Sequence, residues 1–246
     1  MRNRYIYLIT LLIYFVSFST NVNAQILLVP EIEQEQNNWC WAGVSKCVLD
    51  YYGFSQQQCE IAEYTRNVAT FNNFGTVDCC IDPNQGCNDW NYNYGASGSI
   101  EDLLSNFGGI ITTNSSSVLS ELQWQTEITN NTPFIIRFEW NNGAGHFVVG
   151  YGVTGSDYYT MDPWFNEGYT ISTYNWVVNG QGGSGTWTHS QTLSSINTAG
   201  ILDIPENKGN LLRITDMLGQ ETSYRRNTPL FYIYDDGTVE KRIVIE

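Results

Sequence analysis

Gln34-Glu-Gln-Asn-Asn-Trp-Cys-Trp-Ala42 runs without a break into an amphipathic segment, and its reading decides the fold. Trp41, Val44, Val48 and Tyr51 recur at three- and four-residue steps, with Ser45, Lys46 and Asp50 between them, which predicts a helix. Asn38 is a candidate N-cap, and Gly53 supplies the left-handed stop that helix C-termini favour. Cys40 therefore falls in the first turn, at the positive end of the helix dipole. A free thiol titrates at about 8.5, and a helix N-terminus with an imidazolium beside it lowers that by roughly one to five units. Cys40 is thus the candidate nucleophile; the competing assignments are a small buried hydrophobe or half of a disulfide.

A thiol nucleophile needs a base, and the chain has two histidines, His146 and His189. His146 lies in Gly143-Ala-Gly-His-Phe-Val-Val-Gly-Tyr-Gly152. There it opens an apolar strand behind a glycine-rich approach, so the ring can face a cleft while Phe147, Val148 and Val149 anchor the backbone. His189, in Trp187-Thr-His-Ser190, reads as a structural residue of a strand. Asp162 stands in Tyr158-Tyr-Thr-Met-Asp-Pro-Trp164, where Pro163 ends the strand and fixes the turn beneath the carboxylate. Capping that turn is the plainer use of such an aspartate.

Taken in order, Cys, His and Asp, together with Asn38-Trp-Cys-Trp-Ala42 and Asp162-Pro-Trp164, resemble the papain-like cysteine peptidases. Within them the resemblance is to the bacterial Asn-Trp-Cys-Trp-Ala branch, C39-like or C70-like. Gln34, Cys40, Trp41, Ala42, His146, Asp162 and Trp164 match, and the resemblance spans about residues 29–190. It implies an α+β, two-lobe fold, with an N-terminal helical lobe carrying the nucleophile and a C-terminal antiparallel β lobe carrying histidine and aspartate. It also implies hydrolysis of a protein or peptide substrate through a thioester acyl-enzyme. Cys40 attacks, His146 protonates the leaving amine, and Asp162, where papain uses asparagine, holds the imidazole. The Gln34 amide and the Cys40 N–H receive the oxyanion. Gln34 precedes Cys40 by six positions, the family spacing, and Gln36 is its rival. Trp164 resembles the tryptophan that shields the histidine's hydrogen bond from water. No cofactor and no metal is implied. Two other classes stand beside this one: a thiol acyltransferase of transglutaminase type using the same triad, and a catalytically silent surface-binding module.

Arg2 and Arg4, an apolar run over 5–18 and Val22-Asn-Ala24 read as a signal peptide cleaved after Ala24. The run is shorter than the roughly 20 residues a membrane span needs, so the expected product is secreted or cell-surface attached and not stably inserted. Cleavage removes two arginines and no acid, taking the formal charge from −14 to −16 (−14 − 2). So acidic a chain argues against nucleic acid and anionic membranes as partners, and a monomer is expected. Cys40 would then lie 16 residues from the new terminus (40 − 24), too close for the long prosegment of many papain-like zymogens.

Export permits disulfides, and Cys47, Cys59, Cys79, Cys80 and Cys87 remain besides Cys40. Five is odd, so at most two bridges form among them, in any of fifteen arrangements (5 × 3). The adjacent Cys79 and Cys80 are expected to bond elsewhere than to each other, with Cys59 and Cys87 as preferred partners. Cys47, seven residues after Cys40 on the same helix face, is expected buried and free. A zinc site at Cys79, Cys80 and Cys87 lacks the paired Cys-x-x-Cys spacing. Asp82, Asn84, Asn88 and Asp89 suit a polar loop as well as calcium.

Further helices are expected from a capping box at Ser55-Gln-Gln-Gln58 to about residue 66, over 99–107 closed by Gly108-Gly109, and from 117 to about 128. Strands are expected over 134–140, 147–153, 158–161, 168–178 and 185–193. A helical half then meets a stranded half with a cleft at their junction. The expected organisation is a signal peptide (1–24), a peptidase domain (25–204), a linker at Pro205-Glu-Asn-Lys-Gly209 and a β tail (210–246). Strands are expected in the tail over 211–220 and 231–246, the latter a hairpin turning at Asp236-Gly237. With Asp216-Met-Leu-Gly219, Tyr232-Ile-Tyr234 and Lys241-Arg-Ile-Val-Ile245, the tail resembles the C-terminal sorting segments of type IX secretion cargo, which implies that secretion machinery as a partner. It is shorter than a complete sorting domain, and about forty residues are marginal as an independent fold.

Overall fold

Helix α1 (Cys40–Tyr51) begins at the thiol and buries Trp41, Ala42, Val44, Cys47, Val48 and Leu49 against the rest of the chain. Its N-cap is Trp39, with no side-chain cap. Asn38, the expected cap, is drawn aside: its backbone N–H donates to Asn88 Oδ1 and its Nδ2 to the Asn88 carbonyl, each at 3.0 Å. Gly53, at φ 85°, closes the helix as expected. The computed structural model describes residues 24–196, 211–216, 219–222, 230–235 and 239–242. The expected signal segment up to residue 23 and the linker 205–209 lie outside them. The chain divides into two compact units, Met1–Asn197 and Thr198–Glu246.

Three more helices follow the capping signals. In α2 (Gln58–Val68) the capping box pairs Gln57 with Glu60, two residues later than the expected start at Ser55. Helix α3 (Ile100–Gly108) follows Ser99 and stops at left-handed Gly109. Helix α4 (Glu121–Thr129) takes Ser120 and Gln123 as its box, so the turn at 117–120 that was expected to be helical stays outside it.

One antiparallel sheet forms the other half, in the order β2 (Ile110–Ser115), β7 (Gly185–Ile196), β3 (Phe134–Trp140), β4 (Gly145–Thr154), β5 (Asp157–Asp162), β6 (Gly168–Ser172), with the short β1 (Gln25–Ile26) pairing β4. Two features depart from expectation. Strand β2 sits inside the stretch that reads as helical, because its partner β7 lies some eighty residues away and leaves no local mark. The expected strand 168–178 breaks at Thr173, whose hydroxyl accepts from the Trp176 N–H at 3.3 Å and starts helix α5 (Tyr174–Val178).

Between helices and sheet lies an aromatic core in which Trp124 packs edge-on to Phe134, Tyr158 and Trp187, at 4.9, 5.0 and 5.7 Å between ring centroids. Strand β4 is buried over nearly its whole length, as befits the central strand that α1 crosses. Disulfides Cys59–Cys80 and Cys79–Cys87 form, one of the two pairings left open among the preferred partners, and Cys47 is buried and free as expected. In the second unit, β8 (Leu211–Thr215), β9 (Leu230–Tyr234) and β10 (Val239–Arg242) make a three-stranded antiparallel sheet in the order β10-β9-β8. Leu230, Tyr232 and Tyr234 are buried along one face of β9 at the period of two that a strand requires. The expected strand 211–220 ends at Thr215 and gives way to a turn in which the Gly219 N–H donates to the Asp216 carbonyl at 3.0 Å. The expected turn at Asp236-Gly237 lies outside the described residues. Among the described residues no helix is long and apolar enough to cross a membrane.

Candidate active site

The first backbone N–H groups of a helix have no acceptor within it, and Cys40 is the first residue of α1, so its own N–H points out of the helix end beside the thiol. Opposite it, β4 and β5 are neighbours paired at Val149 and Met161. That register puts His146, near the start of β4, beside Asp162, the last residue of β5. His146 Nε2 and Asp162 Oδ1 are 2.7 Å apart, with the two residues 5% and 2% exposed. Because Asp162 occupies Nε2, Nδ1 is the ring nitrogen left for the Cys40 thiol, which lines the same cleft and acts on the charge of the ring. Two contacts hold the halves in place. Gly43, one turn into α1, is so close to Pro163 that a β-carbon would lie 2.7 Å from the proline Cβ, and the Gln34 N–H donates to the Pro163 carbonyl at 2.7 Å.

Burial alone would strip His146 of its charge. The hydrogen bond to Asp162, the interaction with Cys40 and the charges on both outweigh it, raising the imidazole from its ordinary value to about 10. Burial likewise favours neutral Asp162, yet the His146 hydrogen bond and charge, the Trp164 N–H and the Gln181 amide together pull it below the ordinary carboxylate value. The arrangement therefore favours a cationic ring over the neutral pH range, hydrogen-bonded to a carboxylate and sharing the cleft with the sulfur. These three residues border an open cleft of about 700 Å³, also walled by Trp90, Trp140 and Trp164.

The sequence model of the Peptidase_C39 like family matches residues 26–195. The chain belongs to the Peptidase_C39 like family. Among solved structures, this C39-like chain is similar to the peptidase domain of Streptococcus ComA, a bi-functional ABC transporter involved in quorum sensing, at 16% identity over 67% of this chain and 96% of that one, with a TM-score of 0.44. It is also similar to a double glycine motif protease from an AMS/PCAT transporter in complex with the leader peptide, at 18% identity over 70% and 95%, with a TM-score of 0.42. No curated protein sequence matches it.

Not every residue singled out in the C39-like sequence reaches the cleft. Gln34 is buried, and its Nε2 donates to the carbonyls of Gln36 and Asn37 at 2.8 and 2.9 Å. It braces the turn leading into Cys40, and to meet an oxyanion it must release one of those carbonyls. Gln36 takes part in that turn through its carbonyl, which also accepts from the Trp39 N–H at 3.1 Å. Trp164 stands edge-on to His146, with centroids 6.1 Å apart, and is 44% exposed. The fuller cover comes from a residue the sequence did not mark: Trp140 stacks on the imidazole at 5.8 Å and 21°. Gln181, equally unmarked, donates to Asp162 Oδ2 at 2.8 Å. His189 lies outside the cleft on β7, hydrogen-bonded at Nδ1 to Thr188 Oγ1. Burial and then the Arg137 charge lower its pKa.

A covalent brace supports the nucleophile. Trp39 and Trp41 donate through Nε1 to the carbonyls of Cys87 and Asp89 at 2.8 and 2.9 Å, and Asn38 is clamped to Asn88 between them. Cys87 is bridged to Cys79, whose N–H donates to Glu63 on α2, while the next residue, Cys80, is bridged to Cys59 on the same helix. Hydrogen bonding to Arg66, then to the Cys79 N–H and Asn67, brings Glu63 down to about 2 despite the opposing effect of burial. Glu63, Cys79 and Cys87 lie close enough to suggest a metal site, but both sulfurs are spent in a disulfide. The zinc alternative at Cys79, Cys80 and Cys87 is excluded for the same reason, since all three are bridged.

Proposed function

We propose that this chain is an exported cysteine peptidase that hydrolyses peptide bonds of a protein or peptide substrate through Cys40, His146 and Asp162. The observation that carries this reading is one imidazole, hydrogen-bonded to the Asp162 carboxylate, sharing the wall of an open cleft with a thiol at a helix N-terminus. Membership of a peptidase family supports it, and two disulfides support an oxidising compartment.

Cys40, as thiolate, attacks the scissile carbonyl and forms a carbon–sulfur bond. The negative oxygen is received by the Cys40 N–H and by the Gln34 amide, which exchanges a backbone carbonyl for it. His146 gives its Nδ1 proton to the leaving nitrogen, the carbon–nitrogen bond breaks, and a thioester and a free amine result. Water, deprotonated by the now neutral ring, attacks the thioester and releases the acid while the sulfur leaves as thiolate paired with imidazolium. Throughout, Asp162 holds the Nε2–H tautomer and the ring's orientation.

Cys40→Ala is expected to abolish hydrolysis of casein and of fluorogenic peptides, and Gln34→Ala to leave a slow residue of turnover, about a hundred- to a thousandfold below wild type. Equal activity of Cys40→Ala and wild type would remove the assignment. Transfer of the acyl group to an added amine in place of water would move it to acyl transfer.

A further inference from the structure

We propose that Gln181 is a positioning residue of the triad, held in a left-handed turn so that its amide fixes Asp162 and, through Asp162, the imidazole. The inference rests on the peptidase reading for its consequence but on separate atoms for its evidence.

Asp162 has one oxygen fully used: Oδ1 accepts from His146 Nε2 at 2.7 Å and from the Trp164 N–H at 2.8 Å. Oδ2 accepts from Gln181 Nε2 at 2.8 Å. Removing that donor strands half of a carboxylate that is 2% exposed, which is costly for a charged group. The backbone makes the side chain's presence more telling. Gln181 sits at φ 53° and ψ 54°, the left-handed region that favours glycine, between Gly180 at φ 52° and Gly182 at φ 82°. Those neighbours have no room for a side chain: a β-carbon on Gly180 would lie 2.3 Å from the Gly185 carbonyl carbon, and one on Gly182 would lie 2.7 Å from Trp176 Nε1. In this glycine-rich turn, one position carries a strained side chain, and it is the one that reaches the carboxylate.

A neutral amide is suited to the task. It stabilises the carboxylate without adding a charge that would compete with His146, and it keeps Asp162 an acceptor, so the ring proton stays on Nε2 and Nδ1 faces the sulfur. The titratable and charged groups around Asp162 are His146 on β4, Cys40 at the start of α1 and, on the same cleft wall, Arg137 on β3 and Glu167 before β6. Beside them, Gln181 is the neutral side chain that donates to Asp162. Loss of its hydrogen bond raises Asp162, so protonation of the carboxylate, and loss of its hold on the ring, begins at a higher pH.

The test uses the full chain with Gln181→Gly, which accepts the left-handed backbone freely, and Gln181→Glu, which keeps the size but puts a second carboxylate beside Asp162. With two histidines in the chain, proton NMR can follow the His146 Nε2–H resonance against pH. Both variants should melt cooperatively. Their His146 resonance should titrate at higher pH than in wild type on the acid side, further in Gln181→Glu. At pH 5, kcat/KM should fall about three- to tenfold for Gln181→Gly, mostly in kcat, the size of one ordinary hydrogen bond. Unchanged imidazole titration and an unchanged pH profile in both variants overturn the proposal, as does a lowered melting temperature with no shift in either. A shifted resonance in a protein whose wild type cleaves no peptide would sink the peptidase reading and leave the positioning role standing.

Discussion

At the scale of the residue, the charge on His146 is the quantity from which the chemistry follows. Its pKa is raised above that of an unfolded histidine, so its contribution to stability is full below about 6.5 and is lost as pH rises through about 10. Asp162 runs the other way, contributing above the ordinary carboxylate value and losing that contribution as pH falls through its own lowered one. Asp162→Asn removes the carboxylate and leaves burial to act on the ring. The alkaline limb of kcat/KM should then move down from near pH 10, with activity at pH 9 reduced by roughly tenfold or more, since each pH unit of displacement is a factor of ten. A pH–rate profile of the variant checks this, and an unmoved alkaline limb would show that His146 does not set it. Cys40, His146 and Asp162 were legible as candidates because each sits in a local pattern: the start of an amphipathic segment, a glycine-led apolar strand, an Asp-Pro stop. Trp140 and Gln181 were not, because one is an aromatic in an aromatic-rich strand and the other a lone polar residue among glycines, and only the folded chain brings them to the ring and the carboxylate.

At the scale of the element, the site depends on how closely α1 approaches the turn after β5. Gly43 against Pro163 sets that spacing. Gly43→Ala gains about 1 kcal/mol of helix propensity but forces a 2.7 Å contact apart, at a cost of about 1–3 kcal/mol for an overpacked core. The expected outcome is a small net loss in thermal stability and a loss of kcat/KM of about tenfold to a hundredfold, because sulfur and imidazole separate by a fraction of an ångström. Thermal melts and kinetics on one preparation check both halves, and wild-type kcat/KM in a folded variant would show that the spacing has slack. Element boundaries were readable where a glycine takes the left-handed stop, as at Gly53 and Gly109, and misread where the choice was made at a distance. Strand β2 exists because β7 pairs with it, and residues 174–178 are β-branched and aromatic enough to read as strand until Thr173 caps them as helix.

At the scale of the whole molecule, the division into a helical half with Cys40 and a sheet half with His146 and Asp162 followed from the change of periodicity along the chain. The pairing of the bridges was narrowed but not fixed by spacing, since Cys79 and Cys80 are adjacent and each had two partners open. The described residues of the tail form a three-stranded sheet, and the resemblance of its sequence to sorting segments makes a direct prediction. Fused to a periplasmic reporter in a host with type IX secretion, residues 205–246 should carry the reporter to the cell surface; fractionation with the reporter retained in the periplasm would count against sorting.

The brace behind α1 has a practical consequence for anyone assaying the protein. The proposed hydrolysis calls for one sulfur in its reduced form, while the wall that steadies it has four in their oxidised form. Mild thiol should wake the preparation and excess dithiothreitol should dull it again, so an assay run in the customary generous dose would score an active sample as dead.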